Sequence, residues 1–248
     1  MKLKRKKSGL IIIGDEILSG KTLEKNANFI CKELVRRGIK CSEISIIRDE
    51  EDQIIETVNS FRSKYDYVFT TGGIGPTHDD ITSKSISKAL KVKLTLNSEA
   101  KGRLEKHYSD DILTNARLKM AYIPENASLI DNPVSIAPGF AIKNIFVFPG
   151  VPEILKIMFK DFIKSLAKQK KYYKRNVTTT LSEGIIGDFV EKVQNEFQDV
   201  EIGSYPYFKK NSFGVSLVIR GDLKKNVDTV SRKIFDYLQS KKGNPRLF

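Results

Sequence analysis

The chain has 248 residues, 40% of them hydrophobic and 29% charged, which is typical of a folded globular protein and excludes wholesale disorder. It contains no run of about 18 apolar residues, so no membrane-spanning helix is expected. The formal net charge of +13 is spread along the chain, which favours a lysine-rich surface that attracts anionic ligands over a dedicated nucleic-acid-binding surface.

The two cysteines, Cys31 and Cys41, have neither the spacing of a metal site nor the number needed for a disulfide framework. Cys31 falls on an apolar helical stripe, where a buried thiol is the simplest interpretation. We therefore expect a protein of the reducing cytoplasm.

The first two thirds of the chain alternate between predicted strands and predicted helices. The first strand, Gly9–Ile13, is followed by an apolar stripe at helical spacing that ends at Gly38. The later elements are the strand Cys41–Ile47, a helix carrying Ile54, Val58 and Phe61, the strand Asp66–Thr71, a helix from Asp80 to Leu90, the strand Asn144–Gly150 and a helix that is apolar over a broad face from Ile154 to Leu166. This alternation predicts an α/β fold with a mainly parallel sheet that helices cover on both faces.

A charged run, Lys164–Asn176, interrupts this alternation, and we place a domain boundary near residue 170. The remaining residues have the pattern of a small β-α-β-β-α module, which is too small to form a catalytic domain alone. The predicted organisation is a basic tail at residues 1–8, a large α/β domain at 9–170 and a smaller α+β module at 171–248.

Two motifs follow predicted strands of the large domain: GDEILSG, Gly14–Gly20, and TTGGIGPTHDD, Thr70–Asp80. Ligands of open α/β sheets bind beyond the carboxyl ends of the strands, where both motifs fall. Glycines such as those of the second motif let backbone N–H groups approach an anion closely, and the helix that follows adds its N-terminal partial positive charge. The sequence therefore predicts a phosphate-binding loop.

The adjacent carboxylates Asp79 and Asp80 would repel a phosphate bound at that loop. A divalent cation between them removes the conflict, because Mg²⁺ is typically held by one or two carboxylates together with phosphate oxygens. Helix capping by one member of the pair is the simpler alternative, and a solvated turn is the alternative for Asp15 and Glu16. His78 and His107 are interpreted as ordinary surface or core histidines.

Four segments also carry a family resemblance, and they occur in the family's order between residues 9 and 168. They are GDEILSG with Asn26 and Asn28, TTGGIGPTHDDIT, the run Asn115–Phe140, and FPGVPEI at Phe148–Ile154. Together they resemble the CinA-type branch of the MoaB/Mog molybdopterin-binding fold. The segment IGSYPYF is similar to the small module of this branch and of the molybdopterin-binding-like region of eukaryotic FAD synthases.

The resemblance implies a three-layer domain that binds a phosphorylated pterin or nucleotide and forms oligomers, most simply a dimer. In CinA proteins and FAD synthases such domains are associated with metal-dependent hydrolysis of nucleotide pyrophosphates such as ADP-ribose or FAD. The residues it implies are Asp80 and Asp15 for catalysis, Asp79 and Asp80 for a divalent metal (Mg²⁺, Mn²⁺ or Co²⁺), and Thr71, Gly72, Gly73, Gly75, Thr77 and Asn115 for the ligand.

The chain also departs from that family pattern. The deamidase domain of full-length CinA and the nucleotidyltransferase domain of FAD synthase have no counterpart here, so neither activity is carried over. Ser135 and Ile136 stand where the family has glycine and threonine, and we expect them to narrow the pocket.

Three functions remain open from the sequence. The first is a metal-dependent hydrolase of nucleotide pyrophosphates, and the second is a protein that binds or adenylylates molybdopterin during cofactor biosynthesis. The third is a module that binds a phosphorylated ligand without turnover. One fold can host all three, so the fold does not decide among them.

Overall fold

The computed structural model describes residues 5–108, 113–169, 172–209 and 212–248. The chain divides into two compact units, Met1–Gln169 and Lys170–Phe248. Residues 170 and 171, which flank the predicted boundary, lie outside the described residues, as do residues 1–4 of the predicted tail.

Within its described residues, the first unit contains eight strands and seven α-helices. In chain order they are β1 (Lys7–Ile13), α1 (Asp15–Leu18), α2 (Asn26–Arg37), β2 (Lys40–Ile47), α3 (Glu51–Lys64), β3 (Tyr67–Thr71), α4 (Thr82–Leu90), β4 (Leu94–Leu96), α5 (Ser98–His107), α6 (Asn115–Leu118), β5 (Tyr122–Pro124), β6 (Ser128–Ile130), β7 (Gly139–Ile142), β8 (Ile145–Phe148) and α7 (Pro152–Ser165), with a 3₁₀ turn at Lys119–Ala121.

The six-stranded sheet of this unit has the order β2-β1-β3-β8-β7-β6. The first four of these strands are parallel to one another, and β7 is antiparallel to both of its neighbours. Parallel strands point their carboxyl ends to one edge, so the loops after β1, β2, β3 and β8 meet there. The sheet is therefore mainly parallel, as the alternation of elements predicts.

Helices cover both faces of this sheet, which accounts for the continuously apolar β1 segment LIII. On one face, α3 and α4 bury a cluster that includes Ile54, Phe61 and Ile86. On the other face, α2 and α7 bury a cluster that includes Leu34 and Phe159. The first unit is thus the three-layer α/β domain that the sequence predicts.

Three parts of the first unit differ from the sequence prediction. β1 begins at Lys7, inside the predicted basic tail, because Lys7 and Ser8 pair with β2. Helix α4 begins at Thr82 instead of Asp80. The segment 94–142 contributes the small β4-β5 sheet and the antiparallel edge strands β6 and β7, which were not predicted because strands of three or four residues carry too little periodicity.

The aromatic residues of α7 pack within the unit itself. Phe159 is fully buried, and Phe162 packs against the same cluster, where both contact the ring of Phe148. The broad apolar face of this helix therefore packs against its own sheet.

The second unit places two helices on a four-stranded sheet of order β10-β11-β9-β12. Its elements are β9 (Tyr173–Thr179), α8 (Glu183–Glu196), β10 (Val200–Lys209), β11 (Ser212–Gly221), α9 (Lys224–Ser240) and β12 (Arg246–Leu247). Along the chain, these elements follow the predicted β-α-β-β-α pattern, with the short strand β12 added at the end. No helix among the described residues of either unit is long and apolar enough to cross a membrane.

Candidate functional site

A cleft of about 660 Å³ lies at the carboxyl edge of the main sheet. The loops after all four parallel strands contribute to its wall, in agreement with the general rule for open α/β sheets. Its lining residues are Ile13, Gly14 and Glu16 after β1, Asp49 after β2, Gly72–Pro76, Asp79 and Asp80 after β3, Pro149–Pro152 and Ile154 after β8, and Thr22, Tyr108, Arg117, Met120, Asn132, Ser135 and Ala137 from other segments.

Gly72 is required by the packing of β3 against β1. Its φ of +100° lies in the region that favours glycine, and a Cβ at this position would lie 2.0 Å from the Ile13 carbonyl oxygen. The Gly72 N–H is donated to the Phe148 carbonyl at 3.1 Å. Gly72 therefore holds the loop against the sheet, while its own amide is already engaged.

The loop after β3 is closed by Thr82, the first residue of α4. The buried Thr82 hydroxyl donates to the Gly72 carbonyl at 3.0 Å, and the Thr82 N–H donates to the Gly73 carbonyl at 2.9 Å. Gly73 has a φ of +67°, and a Cβ there would lie 2.2 Å from the Thr82 hydroxyl oxygen. These contacts explain why the loop has glycine at two consecutive positions.

Asp79 and Asp80 converge on one hydroxyl. The Thr77 hydroxyl oxygen lies 2.5 Å from a carboxylate oxygen of Asp79 and 2.5 Å from one of Asp80. Because a hydroxyl has a single hydrogen, it can donate to only one of them at a time. The Thr77 N–H donates to the Asp80 carboxylate at 2.8 Å. Gly75 leaves room for this carboxylate, because a Cβ at position 75 would lie 2.7 Å from an Asp80 carboxylate oxygen.

Neither aspartate caps α4. The N-cap position is Ile81, which makes no side-chain capping hydrogen bond. The capping alternative considered for this pair is therefore wrong, because the Asp80 carboxylate turns towards the Thr77 N–H. The hydrogen bond from Thr77 lowers the pKa of Asp79, assisted by the Asp79 backbone, His78 and Lys119.

Asp49 is a carboxylate of the cleft that the sequence analysis missed. Burial raises the pKa of Asp49, and the nearby carboxylates of Glu16, Asp15 and Asp79 raise it further. The Asp15 N–H donates a hydrogen bond to Asp49 at 3.0 Å, which lowers this pKa in part. Its position could have indicated a site residue, because Asp49 follows the strand Lys40–Ile47 by two residues. That strand ends at the same edge of the sheet as the two recognised motifs.

Four residues predicted for the site are not part of the cleft wall, namely Thr77, whose hydroxyl contacts Asp79 and Asp80, and Asp15, Asn115 and Thr71. Asp15 accepts a hydrogen bond from Arg48 at 3.1 Å, and its side chain is 55% exposed. Asn115 is exposed at the start of α6, where its neighbour Arg117 lines the cleft instead. Thr71 is buried in β3, and its hydroxyl has no hydrogen-bond partner in the described part of the chain.

The cleft wall also carries an aromatic ring and a cation, Tyr108 and Arg117. The Arg117 guanidinium lies 4.4 Å from the centre of the Tyr108 ring, a cation–π distance, and both side chains line the cleft. Lys119 donates a hydrogen bond to the Thr77 carbonyl, which brings a second cation to the loop that carries Asp79 and Asp80. The cleft thus combines a planar stacking surface with basic groups.

Ser135 and Ile136, where the chain departs from the family pattern, lie in a turn that is held by hydrogen bonds of Asn132. The Asn132 side chain is buried, with 4% of the residue exposed. Its amide nitrogen donates to the Ser135 hydroxyl and the Ala137 carbonyl, each at 2.7 Å. Ser135 lines the cleft, whereas Ile136 is absent from its wall and has a φ of +64°, which is rare for a β-branched residue. Only Ser135 can narrow the pocket directly.

The donor set of the cleft fits a divalent cation that is shared with a ligand. Within the described ranges, no three His, Cys, Asp or Glu side chains are already grouped as a metal site. One or two carboxylates are nevertheless sufficient for Mg²⁺ when phosphate oxygens complete its coordination. The crowding of Asp79 and Asp80 around one hydroxyl, together with the carboxylates near Asp49, provides the negative charge that such a cation requires.

Two family profiles match this chain. The profile of a family described as "Probable molybdopterin binding domain" matches residues 9–169, which include the whole cleft. A second profile, described as "FAD synthase, middle domain", matches residues 171–245.

Similar proteins occur in several organisms. A protein of Archaeoglobus fulgidus is 35% identical over 197 residues, which cover 79% of this chain and 84% of its own length. A probable FAD synthase of Caenorhabditis briggsae is 30% identical over 252 residues, and the match covers 91% of this chain but only 48% of that protein. The solved structure of a CinA protein of unknown function from Thermoplasma acidophilum has a TM-score of 0.62 and 34% identity, and covers 64% of this chain and 97% of its own.

Replacement of Asp49 by asparagine tests the electrostatics of the cleft. A raised pKa means that the folded chain binds the Asp49 proton more tightly than the unfolded chain does, so the charged form weakens folding at higher pH. We expect Asp49→Asn to unfold at a higher urea concentration than the native chain at about pH 7. The difference should vanish at about pH 3, below the ordinary pKa of aspartic acid.

The matched control for this comparison is Asp161→Asn, which removes an exposed carboxylate of α7 that does not line the cleft. We expect it to change the urea midpoint very little, because exposed ion pairs contribute little to stability. A lower urea midpoint of Asp49→Asn than of the native chain at about pH 7 would contradict the electrostatic description.

Proposed function

This chain belongs to the family of probable molybdopterin-binding domains, and we propose that its cleft binds a nucleotide pyrophosphate of the ADP-ribose or FAD type and hydrolyses it with a divalent cation. The observation that carries the proposal is the convergence of Asp79 and Asp80 on the Thr77 hydroxyl beside the glycine loop. Two crowded carboxylates next to a phosphate-binding loop are best explained by a cation that both the protein and the phosphates bind.

The glycine loop holds the phosphates in this proposal. Gly73 and Gly75 line the cleft without side chains, so a phosphate can approach their backbone closely. Arg117 in the cleft wall and Lys119 beside the loop add positive charge. The backbone of the glycine loop around Gly73 therefore orients the pyrophosphate and stabilises the negative charge that develops on it during the reaction.

Asp79 and Asp80 would hold the divalent cation, which when bound neutralises the phosphates and makes a water molecule more acidic. Asp49 accepts the proton of the attacking water, because its raised pKa brings it closer to the range of a general base. One phosphorus–oxygen bond to water forms and the bond to the bridging oxygen breaks, which leaves two phosphate monoesters. Asp49 thereby takes the catalytic role that the sequence analysis gave to Asp15.

The ligand carries a planar ring system in this proposal. Tyr108 offers a ring at the cleft wall, and the Arg117 guanidinium already lies against it. A cleft of about 660 Å³ is also large enough for a nucleotide-sized molecule. A base or a pterin can therefore lie near Tyr108 while its phosphates reach the glycine loop.

Family membership favours a second candidate function, the binding or adenylylation of molybdopterin. A pterin with a phosphate uses the same stacking wall and the same loop. Adenylylation also breaks a phosphoanhydride, in this case of ATP, so it requires the same cation and loop and differs only in the attacking group. A third alternative is a module that binds the phosphorylated ligand without turnover.

A product screen separates these functions. The purified full chain is incubated with ADP-ribose, FAD or ATP, each with and without Mg²⁺, Mn²⁺ or Co²⁺, and nucleotide products are separated by chromatography. The proposal predicts AMP from ADP-ribose or FAD only when a divalent cation is present. Cleavage of ATP that depends on an added pterin supports adenylylation instead, and ligand binding without any product supports the binding module.

Asp80→Asn tests the role of the carboxylate pair. The substitution keeps the side-chain shape and removes a charge that the cation needs, so we expect turnover to fall roughly 10²-fold or more while the thermal midpoint changes little. Asp161→Asn should retain full activity, because its exposed carboxylate lies outside the cleft. Native activity in Asp80→Asn, or in the native chain with excess chelator, would eliminate the metal role.

We also propose that the chain forms a homo-oligomer, most simply a dimer. Strand β2 is at the edge of the main sheet and, among the described residues, pairs with β1 alone. Its Ile44 and Ile46 side chains are 47% and 40% exposed. An exposed edge strand with apolar side chains is a ready surface for pairing with a second copy.

Light scattering of the full chain at micromolar concentration measures this assembly. We expect a dimer mass for the native chain and a monomer mass for the double variant Ile44→Lys, Ile46→Lys, since two charges cannot be buried in an apolar contact without a large cost. Leu223→Lys, at an exposed position of the second unit, serves as the control and should remain dimeric. A monomeric native chain would refute the proposal.

A further inference from the structure

The turn between β6 and β7 is held by the buried side-chain amide of Asn132. Its oxygen accepts the N–H groups of Val134 and Ser135, each at 3.1 Å. Its nitrogen donates to the Ala137 carbonyl and to the Ser135 hydroxyl oxygen, each at 2.7 Å. An asparagine amide has two hydrogens to donate and two lone pairs that accept, so these contacts use its full capacity.

These contacts determine where the hydroxyl hydrogen of Ser135 can point. The orientation of the Asn132 amide is fixed, because backbone N–H groups only donate and the Ala137 carbonyl only accepts. The Ser135 hydroxyl oxygen must therefore accept the bond from Asn132, and its own hydrogen turns away from that amide. In the described part of the chain, no group accepts this hydrogen. Because Ser135 lines the cleft, its hydroxyl is available to donate to a ligand.

The β6–β7 turn adjoins the residues that are proposed to bind the ring of the ligand. Strand β7 runs antiparallel to β8, so it begins at the edge where β3 ends, with β8 between them. At about 4.8 Å per strand, the start of β7 lies roughly 10 Å along this edge from the end of β3. Ala137 packs against the same apolar cluster as Tyr108, and both line the cleft. A donor on this turn is therefore suited to the ring of the ligand and not to a phosphate at the glycine loop.

We propose that Ser135 is a specificity-determining residue, whose hydroxyl donates a hydrogen bond to a ring nitrogen of adenine. This inference rests on the proposed function of the same cleft, since ADP-ribose and FAD both carry adenine. The ring nitrogens of this base are hydrogen-bond acceptors at its edge. The family pattern has glycine at position 135, so the hydroxyl donor is a feature of this chain and not of that pattern.

The Ser135 hydroxyl is positioned for this contact before a ligand binds. The bond from Asn132 holds its oxygen, and the other bonds of that amide hold the turn, so little side-chain freedom is lost on binding. A ring that presents a C–H group in place of the accepting nitrogen leaves the donor without a partner. The loss of one neutral hydrogen bond corresponds to an affinity about 3- to 10-fold weaker.

Calorimetric titration with AMP in the presence of Mg²⁺ tests this contact without turnover, because AMP has no phosphoanhydride bond to hydrolyse. The native full chain and Ser135→Ala are each titrated with AMP, with its 1-deaza, 3-deaza and 7-deaza analogues, and with ribose 5-phosphate, which lacks the base. We expect Ser135→Ala to bind AMP about 3- to 10-fold more weakly than the native chain and ribose 5-phosphate equally well. One deaza analogue should bind both proteins with the same reduced affinity, because it lacks the accepting nitrogen.

Two variants serve as matched controls for this titration. Ser135→Thr keeps a hydroxyl and should keep the preference for AMP over that deaza analogue. Val134 is an exposed residue of the same turn and does not line the cleft, so Val134→Ala should bind every ligand as the native chain does.

Three results would overturn the role of Ser135 alone: unchanged affinity of Ser135→Ala for AMP, an equal loss for AMP and ribose 5-phosphate, or a native chain that binds all three deaza analogues as tightly as AMP. The second of these would reduce Ser135 to a structural part of the turn. A native chain that binds no AMP at all would contradict the proposed nucleotide function and this inference together.

Discussion

The carboxyl ends of β3 and β1 pass so close to each other that residue 72 has no room for a side chain. A Cβ at Gly72 would meet the Ile13 carbonyl oxygen at 2.0 Å, and one at Gly150 would lie 3.3 Å from the Gly72 Cα. The cleft wall therefore includes bare backbone at Gly72 and Gly150, after the ends of β3 and β8. Thr82 fixes the loop after β3 with two hydrogen bonds, and the loop in turn places Asp79 and Asp80 at the rim.

The charge distribution of the cleft explains how an acidic site and a basic protein fit together. The net charge of +13 attracts anionic ligands to the chain as a whole, whereas the carboxylates of Asp49, Asp79 and Asp80 make the cleft locally acidic. A phosphorylated ligand alone would be repelled at its final position. In the proposed function a divalent cation would resolve this conflict. Arg117 in the cleft wall and Lys119, which donates to the Thr77 carbonyl, would add positive charge for the phosphates.

The main fold was predictable because its signals are long and redundant: alternating helices and strands imply a parallel sheet, and a parallel sheet implies where its site lies. The residues of the site were only partly predictable, because orientation within a motif is set by local geometry. Asp15 and Asn115 sit in recognised motifs, yet Glu16 and Arg117 reach the wall, since neighbouring residues of a helix point in different directions. Asp49 was missed because it stands outside every recognised motif.

The central claim is that the cleft binds a phosphorylated, ring-containing ligand only together with a divalent cation. Calorimetric titration of ADP-ribose into the full chain, first with excess chelator and then with Mg²⁺ at the same ionic strength, tests it most directly. The account predicts no measurable binding with chelator and saturable binding of one ligand per chain with Mg²⁺, reduced strongly by Asp80→Asn. Equal affinity in the two conditions, or unchanged affinity in the variant, would contradict it.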